Sequence, residues 1–154
     1  MKKLSVLLAL CAVGWSAACA APTSTNSAPV NRILRIDSSS MSIAGGIARL
    51  TIGPLQRVNG VYIGDYELKV FPYFFKNDKG RLAILVSDES LAKVNRGKVA
   101  AITGTATTSS KGAEVRPIAA TATPVDTNHG QLKLWFSVGD RKMIFEPAYH
   151  FAVN

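Results

Sequence analysis

Residues 97–124 read GKVAAITGTATTSSKGAEVRPIAATATP. Two runs of small and β-branched residues flank a polar turn at residues 109–112, and this pattern predicts a β-hairpin. Strict alternation gives each strand two faces. One face of the first strand carries Ala100, Ile102, Gly104 and Ala106, and one face of the second carries Arg116, Ile118, Ala120 and Ala122. Neither face is bulky. The hairpin therefore predicts a platform on which larger side chains from other strands pack, and it contains no catalytic motif.

The aromatic residues that could supply those larger side chains cluster in residues 61–75. Tyr66, Leu68 and Val70 alternate with charged residues, which predicts a half-buried strand of an antiparallel sheet. Residues 69–75 and 81–87 flank a strong turn signal and form a second predicted hairpin. For residues 73–75 we expect core packing, with an exposed binding surface as the alternative.

The rest of the chain likewise consists of short strand patterns separated by turn-forming residues. Residues 131–136 and 141–145 predict a third hairpin, and residues 41–52 predict one strand bent at Gly45-Gly46, after a loop at residues 37–40. A single helical turn is expected between a Ser87 or Asp88 cap and Gly97. About eight to ten short strands result, which predicts an all-β fold: a small antiparallel barrel or sandwich, with an OB-like barrel among the options.

The N-terminus has the order of a secretory signal peptide. Lys2 and Lys3 precede an apolar run at residues 4–15, and small residues follow at 16–21. This run is shorter than the ~20 apolar residues of a membrane-spanning helix. The sequence therefore predicts a signal peptide at residues 1–20, a Pro/Ser/Thr-rich flexible linker at 21–30 and a single β domain at 31–154.

Two cleavage modes fit this segment. Ala18-Cys19-Ala20 matches the A-x-A site of free secretion, which the small residues favour. Residues 16–19 also resemble a lipobox that would leave Cys19 lipidated, although Ser16 stands where an aliphatic residue is usual. The chain is expected in the periplasm or outside the cell, free or anchored as a lipoprotein, with no transmembrane segment in the mature part. Free secretion would leave no cysteine, because Cys11 and Cys19 are the only two.

The formal charge is +8, and losing Lys2 and Lys3 leaves about +6. The basic residues are scattered, as on an ordinary solvated surface. Such a surface also attracts anions, so an anionic envelope component is a candidate partner. Nucleic acid is a poor candidate, since an exported protein has less occasion to meet it. Oligomeric state is left open.

Catalytic and metal-binding patterns are absent from the sequence. The two histidines, His129 and His150, form no ligand motif, no carboxylate pair stands out, and no serine sits in a nucleophile elbow. We therefore expect a non-catalytic binding or structural module of the envelope, with no metal or cofactor. The alternatives are an OB-like barrel that binds an anionic or sugar-like ligand, and an enzyme with a site assembled across strands. The candidate ligand-binding residues are those where basic and aromatic side chains could share a rim: Tyr73, Lys98, Arg116 and Trp135.

Overall fold

The computed structural model describes residues 32–110, 112–138 and 141–153. The predicted signal peptide, the linker and Cys19 lie outside these residues. The strands are β1 (Arg32–Ile36), β2 (Ser39–Ile43), β3 (Gly46–Ile52), β4 (Gln56–Val58), β5 (Val61–Phe71), β6 (Asp78–Leu85), β7 (Ala100–Thr108), β8 (Val115–Pro124), β9 (His129–Val138), β10 (Arg141–Phe145) and β11 (Ala148–Val153); the helix is α1 (Asp88–Asn95), and a 3₁₀ turn spans Phe74–Lys76.

Strands β5 to β9 form an antiparallel meander in which each strand pairs with the next one in sequence. The hairpin of β7 and β8 lies at its centre, in register from Ala100 opposite Ala122 to Thr107 opposite Val115. The predicted hairpins of residues 97–124 and of residues 131–145 are confirmed. A hairpin also joins β5 to β6, but its paired residues are Val61–Leu68 and Asp78–Leu85 and not the predicted residues 69–75 and 81–87. The connection already begins at Pro72, which cannot donate to the ladder. This strand order differs from that of an OB-fold, which is a five-stranded Greek-key barrel.

In three places two consecutive strands point in the same direction, and the second continues the first as one interrupted strand. These pairs are β1 with β2, β3 with β4, and β10 with β11. β3 and β4 both pair antiparallel with β5, and β10 and β11 both pair antiparallel with β9. β1 pairs with β11 while β2 pairs with β3. Pro54 and Pro147 interrupt two of these strands, because proline cannot donate to the ladder. The described strands therefore make eight segments, each antiparallel to its neighbour.

The eight segments curl into a barrel that is closed by hydrogen bonds at one end. There β1 pairs with β11, and Leu34 and Leu55 exchange backbone hydrogen bonds of 2.9 and 2.8 Å. We call this the helix end, since α1 connects β6 to β7 there. At the opposite, hairpin end, β2 lies beside β10 without pairing to it. The predicted small antiparallel all-β fold is confirmed.

The barrel interior is filled by large side chains over a face of small ones. Tyr62, Phe136 and Phe145 are almost fully buried, and the Tyr66 and Phe136 rings meet edge to face with centroids 5.2 Å apart. The buried residues of β7 and β8 are mostly small, with one isoleucine on each strand: Ala100, Ile102, Ala106, Thr108, Ile118, Ala120 and Ala122. The predicted packing platform is therefore the inner wall of the barrel.

The helix is longer than the single turn that the sequence predicts. It has eight residues, and the Ser87 hydroxyl caps it by accepting a hydrogen bond from the Ser90 N–H at 3.1 Å. Gly97, with φ of +72°, follows it as expected. Buried Val94 packs onto the barrel, and with Leu91 it borders a residual cavity of only about 20 Å³. Tertiary packing thus extends a helix that local signals alone keep short.

Two expectations near the N-terminus are wrong. Residues 41–52 form two strands, not one bent strand, because the chain reverses at Gly45, whose φ is +75°. Strand β2 also begins at Ser39, inside the segment expected to be a loop. Its backbone pairs with β3 from Ser39 opposite Leu50 to Ile43 opposite Gly46. Pairing with a neighbour here outweighs the weak strand propensity of serine.

Candidate ligand-binding site

The end of β5 and its connection to β6 carry the most exposed aromatic side chains that the structure describes. Phe71, Phe74 and Phe75 are 61%, 64% and 81% exposed. The expectation of core packing for residues 73–75 is therefore wrong for Phe74 and Phe75. The last inward position of β5 is Val70, and the short 3₁₀ turn that follows projects beyond the barrel, so the turn has no interior to fill.

Phe71 and Phe74 belong to one apolar surface, and Phe75 is the next residue of the same 3₁₀ turn, with its ring 6.0 Å from that of Tyr73. The Phe71 and Phe74 rings meet edge to face with centroids 5.7 Å apart. Ile47 on β3 is 53% exposed and lies opposite Phe71 in the β3–β5 ladder, so its side chain adjoins that ring. We call Ile47, Phe71, Phe74 and Phe75 the aromatic patch. Its residues form an apolar tip on the hairpin end of the barrel.

Basic side chains border the aromatic patch. The Lys76 amine lies 5.1 Å from the Tyr73 ring centroid and 5.7 Å from that of Phe75, within cation–π range. Arg49 and Lys69 lie opposite each other on the outer face of β3 and β5, two positions along from Ile47 and Phe71. Lys69 is partly neutralised by Glu67 at 3.1 Å. The fringe of the patch is therefore cationic.

A cleft opens beside the patch, where β2 and β10 lie next to each other without pairing. We call it the seam cleft; its volume is about 300 Å³, at the lower end of the range for small-molecule sites. Its lining residues are Met41, Ser42, Ile43, Ala44, Val70, Lys76, Lys142 and Met143. Apart from one serine and two lysines, these side chains are apolar.

Both lysines of the seam cleft rest against aromatic rings. Lys76 lies over Tyr73 and Phe75, and the Lys142 amine lies 6.0 Å from the Trp135 ring centroid. The ion pairs formed by the described residues use other basic side chains. None of the eight lining residues is acidic. The cleft thus combines an apolar wall with a cationic rim.

The four residues selected from sequence fall in three different places. Tyr73 and Trp135 lie beside the two cleft lysines. Arg116 points inward from β8 and is only 15% exposed. Lys98 lies at the helix end, just after α1 and before β7. The structure therefore places each of the two aromatic candidates beside a lysine that lines the seam cleft, and it places the two basic candidates elsewhere.

Arg116 belongs to a polar network inside the hairpin end. Its Nη1 donates to Asp78 Oδ2 at 2.6 Å, and its Nη2 donates to Glu114 Oε2 at 2.8 Å. Asp78 also accepts from the Tyr66 hydroxyl at 3.0 Å and the Thr108 hydroxyl at 2.6 Å. Because both oxygens of Asp78 are engaged, the network is suited to holding four neighbouring strands together, β5 to β8.

The network also shifts the pKa values of its members. Burial, reinforced by the hydrogen bond to Asp78, raises the pKa of Tyr66 well above its ordinary value. The hydrogen bond to Glu114 raises the pKa of Arg116, with help from the charge of Asp78. Both groups therefore keep their protons at neutral pH.

The residues that sequence reasoning missed are Phe71, Lys76, Asp78 and Lys142, together with the exposure of Phe74 and Phe75. One signal was available: three consecutive aromatics and a lysine after Pro72, immediately before a turn. Lys142 carried no such signal, because its place beside Trp135 depends on the β9–β10 register, with Lys142 opposite Ser137.

Comparison with known proteins returned no matching family model, no matching curated protein and no matching solved structure. Within residues 32–110, 112–138 and 141–153, no helix is long and apolar enough to cross a membrane. Over the same residues, no three metal-ligating side chains lie close enough to hold a metal ion.

Proposed function

We propose that this chain is an exported, non-catalytic module of the cell envelope that docks on an anionic lipid surface through the aromatic patch. The observation that carries this proposal is the exposure of Ile47, Phe71, Phe74 and Phe75, which ranges from 53% to 81% on one tip of the barrel. Contiguous exposed apolar residues with a polar rim commonly mark interaction or membrane sites.

The charge around the patch favours lipid over a neutral partner. A basic residue near an anionic leaflet contributes about 1 kcal/mol to binding, and its effect fades within a Debye length. Lys76, Arg49 and Lys69 all lie within a few residues of the patch. Peripheral membrane binding combines this electrostatic attraction with burial of apolar side chains, and phenylalanines that enter the membrane–water interface supply the apolar contribution.

The N-terminal sequence supports the envelope as the place of action. Either cleavage mode predicted from residues 16–21 exports the domain. Lipidation at Cys19 would add one anchor, and stable membrane attachment generally takes two signals. If the protein is secreted free, the aromatic patch and the basic charge alone would hold it on the membrane, and that binding would be reversible. Both routes bring the patch to a lipid surface.

The test is sedimentation of the processed protein with vesicles, in a Cys19→Ala background that excludes lipidation. We expect binding to vesicles of phosphatidylcholine and phosphatidylglycerol in equal parts, weak binding to phosphatidylcholine alone, and a decline with salt. Each inserted Phe contributes about 1.5 kcal/mol or more. Phe74→Ser with Phe75→Ser should therefore weaken binding by about a hundred-fold, at about ten-fold for each 1.4 kcal/mol.

The matched control removes two exposed valines from the helix end. Val99 and Val125 are 56% and 67% exposed, and Val99→Ser with Val125→Ser should leave vesicle binding unchanged. Equal loss in both double variants would point to general surface hydrophobicity. Absence of binding to either vesicle type would remove lipid as the partner of the patch and leave a protein partner.

A second candidate rests on an open groove of about 450 Å³ on the outside of β5 and β6. Asp65, Glu67 and Lys79 line it, and such mixed polar groups suit a sugar-like ligand. Titration with neutral oligosaccharides, followed by backbone amide NMR shifts at these residues, separates this candidate from lipid docking. Turnover of a panel of esters, glycosides or peptides would instead favour an enzyme with a site assembled across strands.

A further inference from the structure

We infer that the seam cleft binds the alkyl chain of a single-chain anionic amphiphile, with Lys76 and Lys142 pairing with its acidic head. A fatty acid and a lysophospholipid share this chemistry. The inference rests on the proposed function in one respect, because an anionic lipid surface would supply the ligand. The cleft itself is a separate site from the aromatic patch.

The barrel architecture makes the seam the place where a chain can enter. An eight-stranded barrel has an interior that side chains fill or that holds one small ligand. The helix half is filled, since its residual cavity of about 20 Å³ could hold no more than a single water. At the hairpin end, β2 and β10 leave a slot between two strands that is roughly fifteen times larger, at about 300 Å³.

The walls of the slot suit an alkyl chain. Met41 and Ile43 occupy the inward positions of β2, and Val70 and Met143 are 3% and 6% exposed on the facing strands. Methionine side chains are flexible and polarisable, so they adapt to chains of differing shape. The apolar part of the ligand would therefore contact apolar groups along the slot.

The rim suits an anionic head. Lys76 and Lys142 line the same slot, one from the β5–β6 connection and the other from β10. Their aromatic partners hold the lysine side chains without neutralising them, because a cation–π contact leaves the charge in place. Lys76 also touches Phe75 of the aromatic patch, which places the mouth of the slot beside the surface proposed to meet lipid.

The test titrates the processed Cys19→Ala protein, without vesicles, with laurate or lauroyl-lysophosphatidylglycerol below the micelle concentration, or with neutral dodecanol below its solubility limit. Calorimetry measures the affinity. We expect one saturable site for at least one of the two anionic probes, and the preferred probe indicates the source of the ligand. Lys76→Gln with Lys142→Gln should weaken anion binding roughly five-fold and leave dodecanol unchanged.

A matched pair of variants on β2 tests the location. Ser42 lines the slot and Ser40 does not, although both are exposed on the outer face of the same strand. Ser42→Phe should abolish binding of the anionic probe, and Ser40→Phe should retain it. Equal binding by both variants, or no binding of either anionic probe to the parent protein, would overturn the inference. Binding of dodecanol as tight as that of laurate would overturn its charged part.

The two proposals fail separately. Phe71→Ser with Phe74→Ser should lose vesicle binding and keep the soluble amphiphile, because these two rings pack on each other and leave Phe75 in place against Lys76. Ile43→Trp, at an inward position of β2 that lines the slot, should lose the amphiphile and keep vesicle binding. Vesicle binding without amphiphile binding would remove the cleft site and leave surface docking intact.

Discussion

Replacing Asp78 with asparagine should destabilise the domain strongly. The carboxylate accepts hydrogen bonds from Tyr66, Thr108 and Arg116, and its side chain is only 9% exposed. Breaking a buried ion pair by removing one partner commonly costs about 3–5 kcal/mol. Arg116 is 15% exposed and retains Glu114, so we expect a smaller loss of about 2–3 kcal/mol. For a domain of this size, that corresponds to a fall in Tm of about 8–12 °C.

Urea denaturation followed by circular dichroism measures this loss, and a double-mutant cycle with Arg116→Met assigns it to the pair. The double variant should be clearly more stable than the sum of the single losses predicts, because no buried charge is then left unpaired. Glu114→Gln is the control on the exposed partner and should have a much smaller effect. Strict additivity, or a loss below about 1 kcal/mol for Asp78→Asn, would refute a buried network that holds the hairpin end.

Three further predictions concern the fold. Ser87→Ala should cost about 1 kcal/mol of unfolding free energy through loss of the helix cap, measured in urea, and no loss would contradict the capping role. Gly104→Ala should cost about 1–3 kcal/mol, since a Cβ there meets the backbone carbonyl of Ala83; wild-type stability would show that the strands can separate freely. The pKa of Tyr66 is raised in the folded state, so its protonated hydroxyl contributes to the stability of the fold. This contribution is fully present below the unfolded pKa of about 10 and is lost as the pH rises above that value. Tyr66→Phe should therefore make the alkaline fall in stability shallower, and an unchanged pH profile would contradict this.

Much of the barrel follows from period-two patterning. The alternation of Tyr66, Leu68 and Val70, and that of Leu132, Leu134 and Phe136, is strict enough to assign the inward face of each strand. All six side chains are buried as expected. Barrel closure could not be predicted in this way, because it depends on contacts between segments that are distant in sequence: β1 pairs with β11, and Leu34 pairs with Leu55.

The candidate site was predicted only in part. Tyr73 and Trp135 were selected as aromatic neighbours of basic residues, and each does lie near a lysine, but the lysines are Lys76 and Lys142. Arg116 was selected for an exposed rim and instead pairs with Asp78, a residue that the sequence presents only as part of a turn. Sequence alternation fixes which face a side chain takes, whereas the partner across the barrel depends on the stagger between strands.

The most direct test of lipid docking places a reporter on the aromatic patch. Phe75→Trp, in a Cys19→Ala and Trp135→Phe background, leaves a single tryptophan in the processed chain. On adding phosphatidylglycerol-containing vesicles, its emission should shift to shorter wavelength and be quenched by brominated lipid. A Val125→Trp reporter at the helix end should show neither change. An emission from the Phe75→Trp protein that stays the same with and without vesicles would contradict insertion of the aromatic patch into lipid.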